Sequence, residues 1–279
     1  FEKQGLNMIT PSYPKIEELL QMVGDTGKRL NEIDACEGAA GNISLYIGWD
    51  IETNDLFPNK QTIPLPVEVP ELSGKRFLVS GSGCRLREIS ADPERNLGLL
   101  EIGEDGKTGI LCLATTCHFQ RLTSEWNTHL AIHRDQILLS NTIFHAVVHG
   151  QPRYITFLSH IPAYRDEEFL NQKLFRWEAE TIVSMPQGIG VVPFLTPGSD
   201  QLMAATCAAM REHKLVVWAK HGVISRSETS PKHALDLIDY IETAAHFEYL
   251  NLASGHPAEG LVEQEVREIR SKFINKSSS

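Results

Sequence analysis

The stretch Phe144-His145-Ala146-Val147-Val148-His149-Gly150-Gln151-Pro152-Arg153-Tyr154 decides how the rest of the chain is read. An apolar run of the kind that forms a buried strand delivers a histidine, breaks at Gly150 and Pro152, and resumes with helical spacing. Successive side chains of an extended backbone alternate faces, so His149 and Gln151 point the same way. Two donors two residues apart at a strand end make half of a metal site. A lone histidine there is more often a hydrogen-bonded cap, so partners elsewhere decide. His221 is one: Leu215-Val216-Val217-Trp218 is again a buried-type strand, followed by a histidine and Gly222. Two such histidines, with Gln151 or a carboxylate completing the set, describe a catalytic site of about three protein ligands and an open position. Imidazole donors favour zinc or another borderline transition metal over magnesium or calcium.

Working outward, Ser12 and Pro14 open a helix with Ile16, Leu19, Leu20, Val23, Leu30 and Ile33 on one face. Gly41-Asn42-Ile43-Ser44-Leu45-Tyr46-Ile47 is a turn feeding an alternating strand. Residues 48–74, with Pro58, Pro64, Pro66 and Pro70, read as a long loop at the rim of a site or a subunit interface. Phe77-Leu78-Val79-Ser80 is a short strand running into Gly81-Ser82-Gly83, and strands over 99–102 and 109–114 flank the turn Glu104-Asp105-Gly106-Lys107. Thr123 or Ser124 is expected to cap a helix running to Leu139. Further helices are expected over 153–160, from Asp200 to about Glu212, from Pro231 past Leu252, and around Val266 and Ile269. No internal repeat or linker divides the chain. The expectation is a single α/β domain over 1–279, with 277–279 a tail: a central mixed or mostly antiparallel sheet flanked by helices on both faces.

The bulk properties narrow the function. At 279 residues and 42% hydrophobic content the chain has enough apolar mass for a sizeable core. Its net charge of −10 argues against nonspecific nucleic-acid binding, which rests on phosphate neutralisation, so any phosphate bound is a small one in a local pocket. No run is long enough for a membrane span and no signal-peptide apolar region opens the chain, which points to a cytoplasmic protein. The scattered Cys36, Cys84, Cys112, Cys117 and Cys207 read as reduced thiols, and Cys112 and Cys117 with His118 lack a second metal-binding half. The turns Gly41-Asn42 and Gly81-Ser82-Gly83, with Thr123-Ser124, offer backbone N–H groups and small hydroxyls suited to phosphate; no Gly-Lys-Ser/Thr follows, so this is not a P-loop. Glu125, His129 and His133 form a rival set at i, i+4 and i+8 on one helix. That set lacks a fourth strong partner: His129 reads as buried and hydrogen-bonded, His133 as solvated. Glu125 sits at the positive end of the helix, where its ionised form is favoured.

These motifs, in this order, resemble the class II aldolase/adducin family. The residues that carry the likeness are Gly41-Asn42-Ile43-Ser44, Val79-Ser80-Gly81-Ser82-Gly83, Thr123-Ser124-Glu125 with His129, Ala146-Val147-Val148-His149, and Trp218-Ala219-Lys220-His221-Gly222. The resemblance spans about residues 15–255 and implies a zinc-dependent cleavage of a ketose phosphate, L-rhamnulose 1-phosphate, to dihydroxyacetone phosphate and L-lactaldehyde. By position it implies His149 and His221 as metal ligands and Glu125 as the carboxylate exchanging a proton at the dihydroxyacetone phosphate end. It implies Glu180 as a second acidic residue reaching the neighbouring subunit's site, and Gly41, Asn42, Ser82, Gly83, Thr123 and Ser124 as the phosphate pocket. A homotetramer with sites at subunit borders goes with it. Two departures stand out. The family's His-x-His is here His149-Gly150-Gln151, so Gln151 becomes a neutral oxygen ligand, direct or through water. Ala39-Ala40 stand where relatives carry a polar residue that helps hold phosphate. His145 is no substitute, since four residues along a strand places it about 13 Å away. A sibling enzyme for fuculose or ribulose phosphate, and a catalytically silent adducin-like binding module, are the other readings.

Overall fold

The computed structural model describes residues 13–53 and 55–274; Ser12 and the expected tail at 277–279 lie outside them. Among the described residues nine strands form one mixed sheet, in the order β2-β5-β4-β3-β1-β6-β9-β8-β7. The chain enters through helix α1 (Ile16–Glu32), which buries Ile16, Leu19, Leu20, Val23 and Leu30 on one face. Each such side chain contributes about 2 kcal/mol relative to leaving it in water. Strands β1 (Asn42–Ile47), β2 (Asn59–Pro64), β3 (Arg76–Ser80), β4 (Leu97–Ile102) and β5 (Thr108–Leu113) follow, with the short helix α2 (Pro93–Asn96) before β4.

Helix α3 (Trp126–Ser140) then leads into β6 (Phe144–Gly150). Next come α4 (Arg153–Leu158), α5 (Glu167–Leu174), α6 (Ala179–Ser184) and β7 (Gly190–Val192). The chain continues with α7 (Asp200–Met210), β8 (Leu215–Trp218), β9 (Gly222–Ser227), α8 (Pro231–Ser254) and α9 (Glu263–Phe273). Only the β7–β8 pair is parallel; every other neighbouring pair is antiparallel.

Alternation along β6 assigns its two faces. Ala146 and Val148 join the core beneath α1 and α8, while Val147 joins Ala131, Ile132, Leu202 and Met210 beneath α3 and α7. Helices therefore cover both faces, as expected of this single α/β domain. Among the described residues no helix is long and apolar enough to cross a membrane, and all five cysteines are free.

Several expectations are corrected. Residues 48–74 are not all loop: β2 pairs with β5 along its whole length, from Asn59 opposite Leu113 to Pro64 opposite Thr108. Its side chains are exposed or half-exposed, so no apolar alternation marks it, and Pro64 sits at its end on the sheet's outer edge, where a missing N–H is tolerated. Strand β1 does not alternate either: all six of its residues are buried, because it lies in the middle of the sheet. The residue at the start of α3 is Glu125 rather than Thr123 or Ser124, and it makes no side-chain cap. Ser199 does cap α7, its hydroxyl accepting from the Leu202 N–H at 3.2 Å.

Candidate metal and phosphate site

The central strands bring the two histidines together. In the β1–β6 ladder Asn42 stands opposite His149, and in the β6–β9 ladder His149 stands opposite Ile224. The tight turn from Trp218 to Gly222 joins β8 to β9 and carries His221 to the same end of the sheet. Two backbone features hold that turn. Lys220 adopts φ +62°, a left-handed conformation costly for a residue with a Cβ, and its N–H donates to the Ser159 hydroxyl at 2.7 Å. Gly222 passes so close to β6 that a Cβ there would meet the Gly150 carbonyl at 2.4 Å.

The loops after β3 and before α3 close the other side. The Ser82 N–H donates to the Arg121 carbonyl at 2.8 Å and the Thr123 N–H to the Ser80 carbonyl at 3.1 Å. A cavity of about 200 Å³ results. Gly41, Asn42, Ser82, Gly83, Thr123 and Ser124 line it together with Glu125, His149, Gln151 and His221, and Ala39, Ala40, Gly81 and Pro197 complete the lining. No lysine or arginine is among its lining residues, so an anion bound here meets neutral hydroxyls, amides and backbone N–H groups. A hollow of about 480 Å³ adjoins it and shares Ser82, Thr123 and Ser124.

His149 and His221 face Glu125 from two sides. The His149 Nε2 lies 3.5 Å from Glu125 Oε2, and the His221 Nε2 lies 3.4 Å from Glu125 Oε1. The His149 Nδ1 is 2.8 Å from the Val223 carbonyl oxygen, which can only accept, so Nδ1 carries a proton and Nε2 is the ring nitrogen turned toward Glu125. The Asn42 Nδ2 donates to Glu125 Oε2 at 2.8 Å and orients the carboxylate. Burial works against the Glu125 charge, but His149, Asn42 and His221 together outweigh it and hold the carboxyl below its ordinary range. His221 is pushed down to about 4 by burial and by His149, against the pull of Glu125.

The donors of Glu125, His149 and His221 all lie within 4.8 Å of one another, and these three residues could hold a divalent metal. Tetrahedral coordination at bond lengths near 2.05 Å sets neighbouring donors about 3.4 Å apart. The two separations from Glu125 are close to that edge and exceed a good charge-assisted hydrogen bond, so the donor set fits a cation held by the imidazoles with the carboxylate within reach of it.

Each residue singled out in the sequence has a place. Gln151 follows β6 into this cavity as the alternation required, and its N–H donates to the Ala35 carbonyl at 2.6 Å. Glu180 lies exposed in the first turn of α6 and is not among the cavity's lining residues. His129 is buried and hydrogen-bonded, as expected, to the Ser44 hydroxyl at 2.7 Å. His133 is not solvated: it is fully buried, bonded to the same hydroxyl at 2.7 Å and to His145 Nδ1 at 2.8 Å. The rival set Glu125, His129 and His133 therefore divides, with Glu125 turned to the cavity and the two imidazoles turned to the sheet. His145, spent on His133, takes no part in the cavity.

Two features escaped the sequence reading. Asn42 serves Glu125 directly, and the indole of Trp218 lies against both imidazoles, with ring centres 4.7 Å from His149 and 5.1 Å from His221. The alternation of β8 hinted at the second, since Trp218 ends the strand that carries His221.

A family model described as the class II aldolase and adducin N-terminal domain matches residues 21–249. A protein of Yersinia pseudotuberculosis named rhamnulose-1-phosphate aldolase is 29% identical over 245 residues, covering 85% of this chain and 86% of its own. The crystal structure of a sugar-phosphate aldolase from Thermotoga maritima superposes with a TM-score of 0.72 at 27% identity, over 87% of this chain and 98% of that one. The L-fuculose-1-phosphate aldolase of Thermus thermophilus shares the fold, with a TM-score of 0.56 at 18% identity over 87% of this chain and all of its own.

Proposed function

The chain belongs to the class II aldolase and adducin family, and from that premise we propose that it cleaves L-rhamnulose 1-phosphate to dihydroxyacetone phosphate and L-lactaldehyde. The observation that carries the reading is the convergence of Glu125, His149 and His221 beside a small cavity lined with neutral donors. The substrate follows the Yersinia relative, whose printed name specifies that sugar phosphate.

In this reading His149 and His221 hold a zinc ion through their Nε2 atoms, with the Gln151 side-chain oxygen as a further, neutral ligand. The bound cation supplies Lewis-acid stabilisation of the negative charge that develops on the ketone and neighbouring hydroxyl oxygens. Gly41, Asn42, Ser82, Gly83, Thr123 and Ser124 hold the phosphate and fix the sugar's register against the metal. Glu125 stays ionised and moves the proton at the carbon beside the ketone, with Asn42 setting the direction of its carboxylate. Glu180, exposed on α6, serves the aldehyde end of the site in a neighbouring subunit of a homotetramer. The reduced thiols accord with a cytoplasmic enzyme.

The deciding experiment is a coupled assay for dihydroxyacetone phosphate release. L-rhamnulose 1-phosphate should be cleaved, a chelator should abolish the rate, and added zinc should restore it. Faster cleavage of fuculose or ribulose phosphate would reassign the substrate while keeping the class. A metal-free protein indifferent to chelator and inert toward all three would instead be an adducin-like binding module.

The Gln151 assignment has its own test. An imidazole is a stronger donor to zinc than an amide oxygen, so Gln151→His should tighten metal binding by about 1.4 kcal/mol or more, roughly tenfold. Titration of the stripped protein against a competing chelator measures it. An unchanged affinity would place the Gln151 side chain outside direct contact with the ion.

A further inference from the structure

We propose that Thr206 and Trp218 are positioning residues for the metal, locking the His221 imidazole from behind; this rests on the metal reading above. A ligand histidine ordinarily spends its second ring nitrogen on a hydrogen bond that fixes the ring's orientation and tautomer. His149 does so through the Val223 carbonyl. His221 does not: its Nδ1 is buried without a hydrogen-bond partner, and its backbone arrives through a tight turn with Lys220 in a strained conformation.

A flat surface stands in for the missing bond. The Trp218 indole stacks on the His221 ring with the planes 29° apart and centres at 5.1 Å, and it also meets the His149 ring at 4.7 Å. Both imidazoles thus rest on one indole, whose electron-rich face favours rings that gain positive charge when they bind a cation.

The indole is in turn held from α7. Its Nε1–H donates to Thr206 Oγ1 at 2.9 Å, and the Thr206 hydroxyl donates to the Leu202 carbonyl at 2.6 Å. Thr206 is fully buried and Trp218 is only 1% exposed, so water cannot replace either bond. The ordering runs from the α7 backbone through one hydroxyl and one indole to the ligand ring. Trp218 also packs with Leu202, Met210, Val216 and Ile224, so a purely core-filling role is the rival account.

The two accounts separate in the stripped protein. A core-filling role lowers the melting temperature and leaves metal affinity of the folded protein unchanged. A positioning role moves the affinity itself. Wild type, Thr206→Val, Thr206→Ser and Trp218→Phe are stripped of metal and shown to be folded by circular dichroism. Each is then titrated with Co2+ by visible absorption and with Zn2+ against a chromophoric chelator.

Thr206→Val should bind both ions about tenfold more weakly or worse, in the range seen for loss of a ligand's outer partner. Thr206→Ser, which keeps the hydroxyl, should restore wild-type affinity. Trp218→Phe, which keeps a ring but loses the anchoring N–H, should weaken binding in the same direction, and it decides the matter if Thr206→Val does not fold. Wild-type affinity in either folded variant would overturn the positioning role. A wild-type protein that takes up neither ion would overturn the metal reading and this inference with it.

Discussion

Glu125→Ala is expected to slow exchange of solvent hydrogen into dihydroxyacetone phosphate by about 10²–10⁴-fold, while the purified protein still carries its metal. Among the residues lining the cavity Glu125 is the single acidic one, so no neighbouring carboxylate can take over its proton. Its position at the start of α3 adds to its charge preference, because the helix end favours an anion there. Its 4% exposure would otherwise penalise that anion, and the facing imidazoles with the Asn42 amide overcome the penalty. A base needs a fixed direction as well as a charge, and the 2.8 Å bond from Asn42 provides it. His149, His221 and Gln151 remain in the variant, which is why metal should stay. Deuterium incorporation followed by NMR, beside metal analysis of the same sample, separates the roles. Exchange persisting at the wild-type rate would remove Glu125 from proton transfer. Loss of metal together with exchange would make the carboxylate chiefly a ligand.

Much of this arrangement was legible in the sequence because it depends on short-range order. A buried strand that ends in a donor, a break and a second donor two residues later fixes which way His149 and Gln151 face, whatever the rest of the fold does. The second apolar strand also delivers a histidine, but His221 lies in the turn beyond Trp218, reached through Lys220 at φ +62°, so alternation does not set its direction. What the sequence hid depends on neighbours far along the chain. Strand β2 is polar and exposed, and only its backbone ladder to β5 makes it a strand. Ser44 looks like a solvent-facing position of an alternating strand, yet it is fully buried because helices cover each face of the sheet. His133 illustrates the limit most clearly. Helical spacing says which residues share its face, but not that Ser44 from β1 and His145 from β6 wait opposite. In the sequence Trp218 is the end of a buried-type strand. That its ring would lie under two imidazoles required knowing that β6, β8 and β9 are adjacent.

Ser44→Ala should cost about 2–5 kcal/mol of unfolding free energy, a loss far larger than its small change in volume implies. The Ser44 hydroxyl is fully buried and bonds both His129 Nδ1 and His133 Nε2 at 2.7 Å. With one proton to give, it donates to one imidazole and accepts N–H from the other. His133 Nδ1 and His145 Nδ1, 2.8 Å apart, must likewise share one donor and one acceptor. The four groups form a single polarised chain in which His129 Nε2 and His145 Nε2 already lack partners, and removing the hydroxyl strands two more imidazole nitrogens in an apolar interior. The same burial keeps the rings uncharged. His129 and His145 are each pushed down to about 3, by burial first and then by His133 and by Arg226 respectively, and burial with His145 pushes His133 well below its usual value. The unfolded chain takes up protons on these rings below about pH 6.5 and the native state does not, so stability is complete above that pH. It then falls toward pH 3 by about 1.4 kcal/mol per pH unit for each imidazole. Urea unfolding at pH 7 and pH 5 reads both effects. The wild type should lose stability sharply between the two, and Ser44→Ala should already be weakened at pH 7. A Ser44→Ala protein as stable as wild type at pH 7 would mean that the hydroxyl does not bridge the rings. A wild-type midpoint that does not move with pH would mean that the imidazoles are charged or exposed in the native state.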